Sequence, residues 1–121
     1  MARLCRMMVL SCFIVVITGG CASLVIADKT NETIKPLGIH EDCMELLSGQ
    51  ILEYSFEAST PLNFNVHYHD DHDVVYGITK DGVSGDNGTF RCEKKQYYCL
   101  MWANTGSEPV GLVYSYSIKK K

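Results

Sequence analysis

The sequence predicts an all-β fold, a small antiparallel β-sandwich, for everything that follows its N-terminal leader. Three observations carry that expectation. From Gln50 onward apolar residues recur at every second position in short runs. Clusters of Gly, Pro, Asn and Asp separate the runs. No stretch after the leader shows a convincing helical period, and six or so short strands of this kind bury their apolar faces by packing sheet on sheet.

Taken in order, residues 28–41 are polar, carry Pro36 and Gly38 and lack a period, which predicts a linker ahead of a domain over 42–121. Glu41 to Leu47 fits either one short helical turn or an irregular entry strand. Leu52, Tyr54 and Phe56 alternate with Glu53, Ser55 and Glu57, giving an apolar and a wet face. Pro61 is expected to open the next strand, where Leu62, Phe64, Val66 and Tyr68 point one way and Asn63, Asn65, His67 and His69 the other. Val74 to Thr79 follows after an acidic turn. Asp81 to Gly88, with Gly82, Gly85 and Asn87-Gly88, is composed like a turn. Tyr97 to Ala103 is almost continuously apolar, as a central strand buried on both faces would be. Asn104 to Pro109 turns the chain, and Val110 to Ile118 closes the fold. Trp102, Tyr98, Tyr114 and Tyr116 on these strands read as core rather than as a ligand platform.

The leader determines the compartment. Arg3 and Arg6 precede the apolar run Met7 to Ile17, and the small residues Thr18-Gly19-Gly20 come before Cys21. Basic, then apolar, then small is the order of a secretory signal, which places residues 1–27 in a signal peptide. The segment before Cys21 resembles the lipobox of bacterial lipoproteins, in which the cysteine is acylated and becomes the new N-terminus, although Thr18 stands where an aliphatic residue is usual. Simple cleavage after Val25-Ile26-Ala27 is the second reading. The third keeps Met7 to Ala27 as an uncharged anchor, just long enough for a bilayer core of about 30 Å. All three export the domain, and acylation at Cys21 would hold it at the cell envelope, periplasmic or outer-membrane; the alternative is a secreted soluble protein.

Charge narrows the partners. Losing Arg3 and Arg6 with a leader cut before Cys21 takes the 11 basic residues to 9 against 14 acidic, a net charge of −5. An acidic domain is a poor partner for nucleic acid or for an anionic membrane surface, so the expected partners are a protein and, through the lipid, a membrane. Lys119-Lys120-Lys121 reads as a solvated end.

Three cysteines fall in the domain, Cys43, Cys92 and Cys99, so at least one is left over from intramolecular pairing. If Phe90 to Cys99 were two strands joined at Lys95-Gln96, Cys92 would lie opposite Cys99 and form the locally cheapest bridge. Cys43 to Cys99 is the long-range rival. No C-x-x-C pair occurs, which argues against redox catalysis and against a cysteine zinc knuckle.

Gly49 to Phe56, Pro61 to Val66, Gly88-Thr89-Phe90, then Tyr98, Trp102 and Asn104 in the pattern Tyr-x-x-x-Trp-x-Asn, and Leu112-Val113-Tyr114 together resemble a GOLD domain over about Asp42 to Ile118. That is the jelly-roll-like β-sandwich of the p24 cargo receptors and of some lipid-transfer proteins. The resemblance implies a module that binds a protein or a small ligand. It also implies a disulfide from a cysteine like Cys43 to the strand before Asn104; Cys99 lies two residues further from that Asn than the family pattern, on the same strand face. The p24 proteins continue into a coiled coil and a membrane helix, whereas this sequence ends at Lys121.

The sharpest chemical cluster is His67-Tyr68-His69-Asp70-Asp71-His72-Asp73. On a strand His67 and His69 share a face, and a turn at Asp70-Asp71 could return His72 or Asp71 toward them, an ordinary ligand set for Zn²⁺, Cu²⁺ or Ni²⁺. The competing reading is a wet strand face running into an acidic turn. No cofactor is otherwise expected. Asn31-Glu32-Thr33 and Asn87-Gly88-Thr89 match the glycosylation sequon, which matters only in a eukaryotic secretory pathway. No Ser-His-Asp elbow, P-loop or dinucleotide fingerprint is present, so the expectation is a binding protein and not an enzyme.

Overall fold

A computed structural model describes residues 28–120. The leader, with Cys5, Cys12, the lipid-attachment candidate Cys21 and all three processing readings, lies outside the described residues. Six strands form: β1 (Thr30–Ile34), β2 (Ile39–Leu46), β3 (Ile51–His69), β4 (Val74–Arg91), β5 (Gln96–Ala103) and β6 (Val110–Lys119). Every pairing is antiparallel.

The organising element is the long β3–β4 hairpin, closed by reciprocal backbone hydrogen bonds between Asp70 and Asp73 at 2.9 and 3.2 Å. β4 follows β3 along its length, but the opposite edge of β3 is shared. Ile51 to Ala58 pairs with β6, and Asn63 to Tyr68 pairs with β5. The hairpin therefore belongs to two sheets. Sheet one runs β1, β6, the first half of β3 and the second half of β4. Sheet two runs β2, β5, the second half of β3 and the first half of β4. The sandwich predicted from the sequence is thus present, built by folding one curled sheet over itself.

Between the layers lie Leu52, Tyr54 and Phe56 from one half of β3, and Leu62, Phe64 and Val66 from the other. They meet Leu100 and Trp102 of β5, Leu112 and Tyr114 of β6, and Met44 and Leu46 of β2. Trp102 packs its ring 4.4 Å from that of Tyr114 and 5.4 Å from that of Phe64. Such aromatic pairs each add about 0.5–1.5 kcal/mol beyond the area they bury. The four aromatics Trp102, Tyr98, Tyr114 and Tyr116 are core or packed against it, as the alternation predicts.

Several expectations are corrected. The stretch expected as a linker contributes β1, paired with β6 from Thr30 to Ile34, and the start of β2. Glu41 to Leu46 belongs to a strand. Pro61 interrupts nothing: β3 runs through it, and the proline, which lacks an N–H, sits in the register gap between Glu57 and Leu62 where β4 asks for no donor. Asp81 to Gly88 is not a turn but the middle of β4. Its glycines serve close approach instead, since a Cβ at Gly88 would stand 2.8 Å from the Tyr54 hydroxyl and one at Gly85 would stand 3.0 Å from the Phe56 carbonyl oxygen. Only Gly82, at φ 65°, uses the left-handed region.

The local bridge from Cys92 to Cys99 does not form, because Cys92, one residue past the end of β4, is buried in the core, whereas Cys99 lies opposite Cys43 on the outer face of sheet two. Cys92 is buried and free at the end of the core, its Sγ 2.8 Å from the Lys94 carbonyl oxygen. The disulfide joins Cys43 to Cys99. Asn104, the last residue of the Tyr-x-x-x-Trp-x-Asn pattern, is buried. Its amide donates toward the carbonyls of Ile34, Lys35 and Glu108 at 2.7–3.2 Å, and its Oδ1 accepts from Gly106 N–H, so that one side chain ties the β1 end to the loop before β6.

Candidate binding face

The two outer faces of the sandwich differ in chemistry, and strand register decides how. Outward from sheet one point Glu53, Ser55 and Glu57 of β3, Ser115 and Ser117 of β6, and Asn87 and Thr89 of β4. That face is wet. Lys119 pairs with Glu53 on it at 2.9 Å.

Outward from sheet two point residues of a different kind. Register sets Cys43 opposite Cys99, Cys99 opposite His67, and His67 opposite Tyr76, one row across all four strands. The next row is Glu41, Met101, Asn65 and Thr79. Beyond the first row, Glu45 lies opposite Tyr97 and His69 opposite Val74. Tyr97 is 63% exposed, Tyr76 55% and Val74 40%, which is unusual for large apolar side chains standing together on a single sheet face.

At the centre His67 is only 3% exposed although it points away from the sandwich core. The disulfide, His69 and Tyr76 wall it in, with the His69 ring 5.1 Å and the Tyr76 ring 5.9 Å away. Its Nδ1 donates to Asn65 Oδ1 at 2.7 Å, leaving Nε2 facing Glu41 Oε1 at 3.4 Å. Burial pushes the imidazole pKa below its ordinary value, because the charged form loses its water; the Glu41 carboxylate opposes that shift, and His69 adds to it.

The structure divides the histidine cluster. His67 is sealed in the sheet, His69 stands exposed at the end of β3, and Asp71 and His72 lie in the exposed hairpin turn. Among the described residues, the group whose ligand atoms all lie within 4.8 Å of one another is Glu41, His67 and Cys99, without His69, His72 or Asp71. Glu41, Tyr76 and Tyr97 were not singled out by the sequence. Their signal was present only in pairing: once β2 is a strand, Glu41 and Cys43 share a face, and register then carries that face across to β3 and β4.

On the opposite side of β2, Asp42 and His40 point inward and bridge to sheet one. Tyr114 donates its hydroxyl to Asp42 Oδ2 at 2.8 Å and lies 3.1 Å from His40 Nε2, and burial together with Asp42 raises the Tyr114 pKa. This chain fastens the sheets and presents no open site.

No family model matches the sequence, and neither does any characterised protein sequence. Solved structures share the fold. The periplasmic inhibitor of g-type lysozyme PliG from Aeromonas hydrophila superposes with a TM-score of 0.55 at 14% identity, over 75% of this chain and 86% of that one. The pre-peptidase C-terminal domain of a Bacillus anthracis collagenase gives 0.59 at 10% identity, over 75% and 89%. The Yersinia pseudotuberculosis-derived mitogen gives 0.55 at 10%, over 78% and 87%. At these identities the likeness extends to the fold alone.

Proposed function

We propose that this chain is an exported binding module, lipid-anchored at the cell envelope through Cys21, that docks another protein on the outer face of sheet two. The observation that carries the reading is the gathering of exposed Tyr76, Tyr97 and Val74 on one face, while the outer face of sheet one carries Ser, Glu and Asn. Tyrosines exposed on a rigid sheet bury much area at small entropic cost when a partner covers them. Glu41 borders the patch, Glu45 beside it pairs with Lys95 at 3.8 Å, and Asp70, Asp71 and Asp73 stand at its hairpin end, so the face suits a partner of positive charge. The resemblance to GOLD domains supports a binding role, and a fold neighbour that inhibits a lysozyme supports a protein as the partner. The reading assigns the protein no catalysis.

Site-specific photo-crosslinking tests this. With the cross-linker placed at position 76 or 97 of the full chain in its own envelope, both positions give the same protein adduct, and a cross-linker at Ser55 on the other face does not. Equal labelling from all three positions, or none, overturns the docking face. Titration of a g-type lysozyme with the chain tests directly whether the partner is of the kind that the fold neighbour inhibits. Intact mass tests the anchor: a start at Cys21 plus acyl chains supports it, and a start at Asp28 refutes it.

A further inference from the structure

The row that crosses sheet two brings together more than a disulfide. Cys43 and Glu41 alternate on the outward face of β2, Cys99 lies opposite Cys43 on β5, and His67 lies opposite Cys99 on β3. A ring nitrogen of His67, a carboxylate oxygen of Glu41 and the sulfur of Cys99 lie within 4.8 Å of one another, and the Cys43 sulfur is bonded to the Cys99 sulfur. Two oxygen or nitrogen ligands about 2.0–2.1 Å from a tetrahedral zinc ion stand about 3.3 Å apart. His67 Nε2 and Glu41 Oε1 stand 3.4 Å apart.

The imidazole is also held as a ligand is held. Its Nδ1 donates to Asn65 Oδ1 at 2.7 Å, which fixes the ring and leaves the lone pair on Nε2, the atom turned toward Glu41. A lone pair and a carboxylate oxygen at that distance have nothing to share unless a proton or a cation lies between them. Metal-bound histidines characteristically have their second nitrogen tied in this way.

We propose that Cys43, Cys99, His67 and Glu41 form a redox-gated site for a borderline-soft divalent cation of the zinc class, closed while the disulfide is intact and opened by a dithiol reductant. The two sulfurs differ in access, Cys43 being exposed and Cys99 only 7% exposed. A thiolate of the dithiol attacks Cys43 Sγ, the bond to Cys99 breaks, and Cys99 leaves as a thiolate beside His67. The second thiol of the reductant then displaces Cys43, so the reductant departs as its own disulfide, having supplied two electrons. Binding of the cation by both thiolates releases the two protons that the dithiol brought, and the completed set is two sulfurs, one nitrogen and one oxygen. The reverse exchange, in which that reductant's own disulfide takes the two electrons back and leaves as the dithiol, restores the Cys43–Cys99 bond and expels the cation. The site shares the outer face of sheet two with the exposed tyrosines, the Tyr76 ring standing 5.9 Å from that of His67, so cation binding would change that face.

Cobalt(II) is the probe, added to the full chain with and without a phosphine reductant. The reduced chain shows the visible bands of tetrahedral cobalt and thiolate-to-cobalt charge transfer, and the oxidised chain shows neither. The remaining cysteines are common to parent and variants, so the difference between them isolates the site. His67→Ala and Glu41→Gln each weaken cobalt binding at least tenfold, and Asn65→Ala, which acts only through His67, weakens it about 10–100-fold. Glu41 is exposed, so its variant keeps the test informative if His67→Ala fails to fold. A reduced chain with no tetrahedral spectrum, a spectrum unchanged in Glu41→Gln, or a sheet that unravels on reduction and is not restored by cobalt overturns the proposal.

Discussion

Cys43 and Cys99 face each other directly across β2 and β5, their Cα atoms 4.0 Å apart, and their disulfide lies on the outer face of sheet two. It is a tie between neighbouring strands of one layer and not a bolt between layers. What it does is fasten β2, an edge strand, to β5. Because 56 residues separate the two cysteines, it also shortens the unfolded chain considerably.

Peptide mapping without reductant is expected to recover Cys43 linked to Cys99, with Cys92 as a thiol that alkylates only after denaturation. Cys43→Ser lowers unfolding stability by about 2–4 kcal/mol, the usual range for a bridge closing a loop of this order. Chemical denaturation measures it. A Cys92–Cys99 peptide would contradict the fold itself, since Cys92 is buried in the core and Cys99 stands on the outer face opposite Cys43.

Asn104 makes a sharper demand. Four hydrogen bonds converge on one buried side chain, and truncation leaves one buried and three part-buried backbone groups of two separate segments without that partner. Asn104→Ala is expected to cost about 2–3 kcal/mol, above the value of one ordinary hydrogen bond, because each orphaned group adds its own desolvation. Asn104→Asp keeps the acceptor for Gly106 N–H but loses the amide donors, and should also destabilise. Equal stability of parent and Asn104→Ala would show that water replaces the amide.

His67 makes stability depend on pH. Its folded pKa lies below the ordinary value of about 6.5, so on acidification the unfolded chain takes up a proton before the folded one does. The contribution is complete above pH 6.5 and is lost progressively as the pH falls toward the folded pKa. Glu41 from β2 and His69 from β3 face the ring, the first opposing the shift and the second adding to it. Urea midpoints at pH 7.5 and pH 5.5 should therefore differ more for the parent than for His67→Gln. Parallel shifts in the two proteins would remove His67 as the cause.

Leu37 occupies the left-handed region at φ 61° in the turn closed by Gly38 N–H donating to the Lys35 carbonyl, and its side chain is 81% exposed. Pro36 before it suits the first central position of a type II turn, whose second central position favours glycine. Leu37→Gly is expected to raise stability by about 1 kcal/mol, since backbone strain is relieved and no packing is lost. Thermal unfolding checks the sign. A fall would mean that the extra freedom of glycine in the unfolded chain outweighs the strain.

By itself the sequence determined the alternation that sorts Leu52, Tyr54 and Phe56 from Glu53, Ser55 and Glu57, the apolar run of β5, and the aromatic character of the core. Those are local matters, because a strand's two faces follow from a period of two. It also carried the order of charge and apolarity in the leader, from which export is proposed. Tertiary structure decided the rest. Whether Pro61 and the glycines from 82 to 88 break a strand or bend one depends on what lies alongside, and here a 19-residue β3 serves two sheets. Which cysteine Cys99 meets depends on which strands are neighbours. The tyrosine face and the group of Glu41, His67 and the disulfide likewise come from four strands far apart in the sequence. Register between distant strands is set by the whole hydrophobic pattern at once, and a one-residue slip would have turned every one of these side chains to the other face.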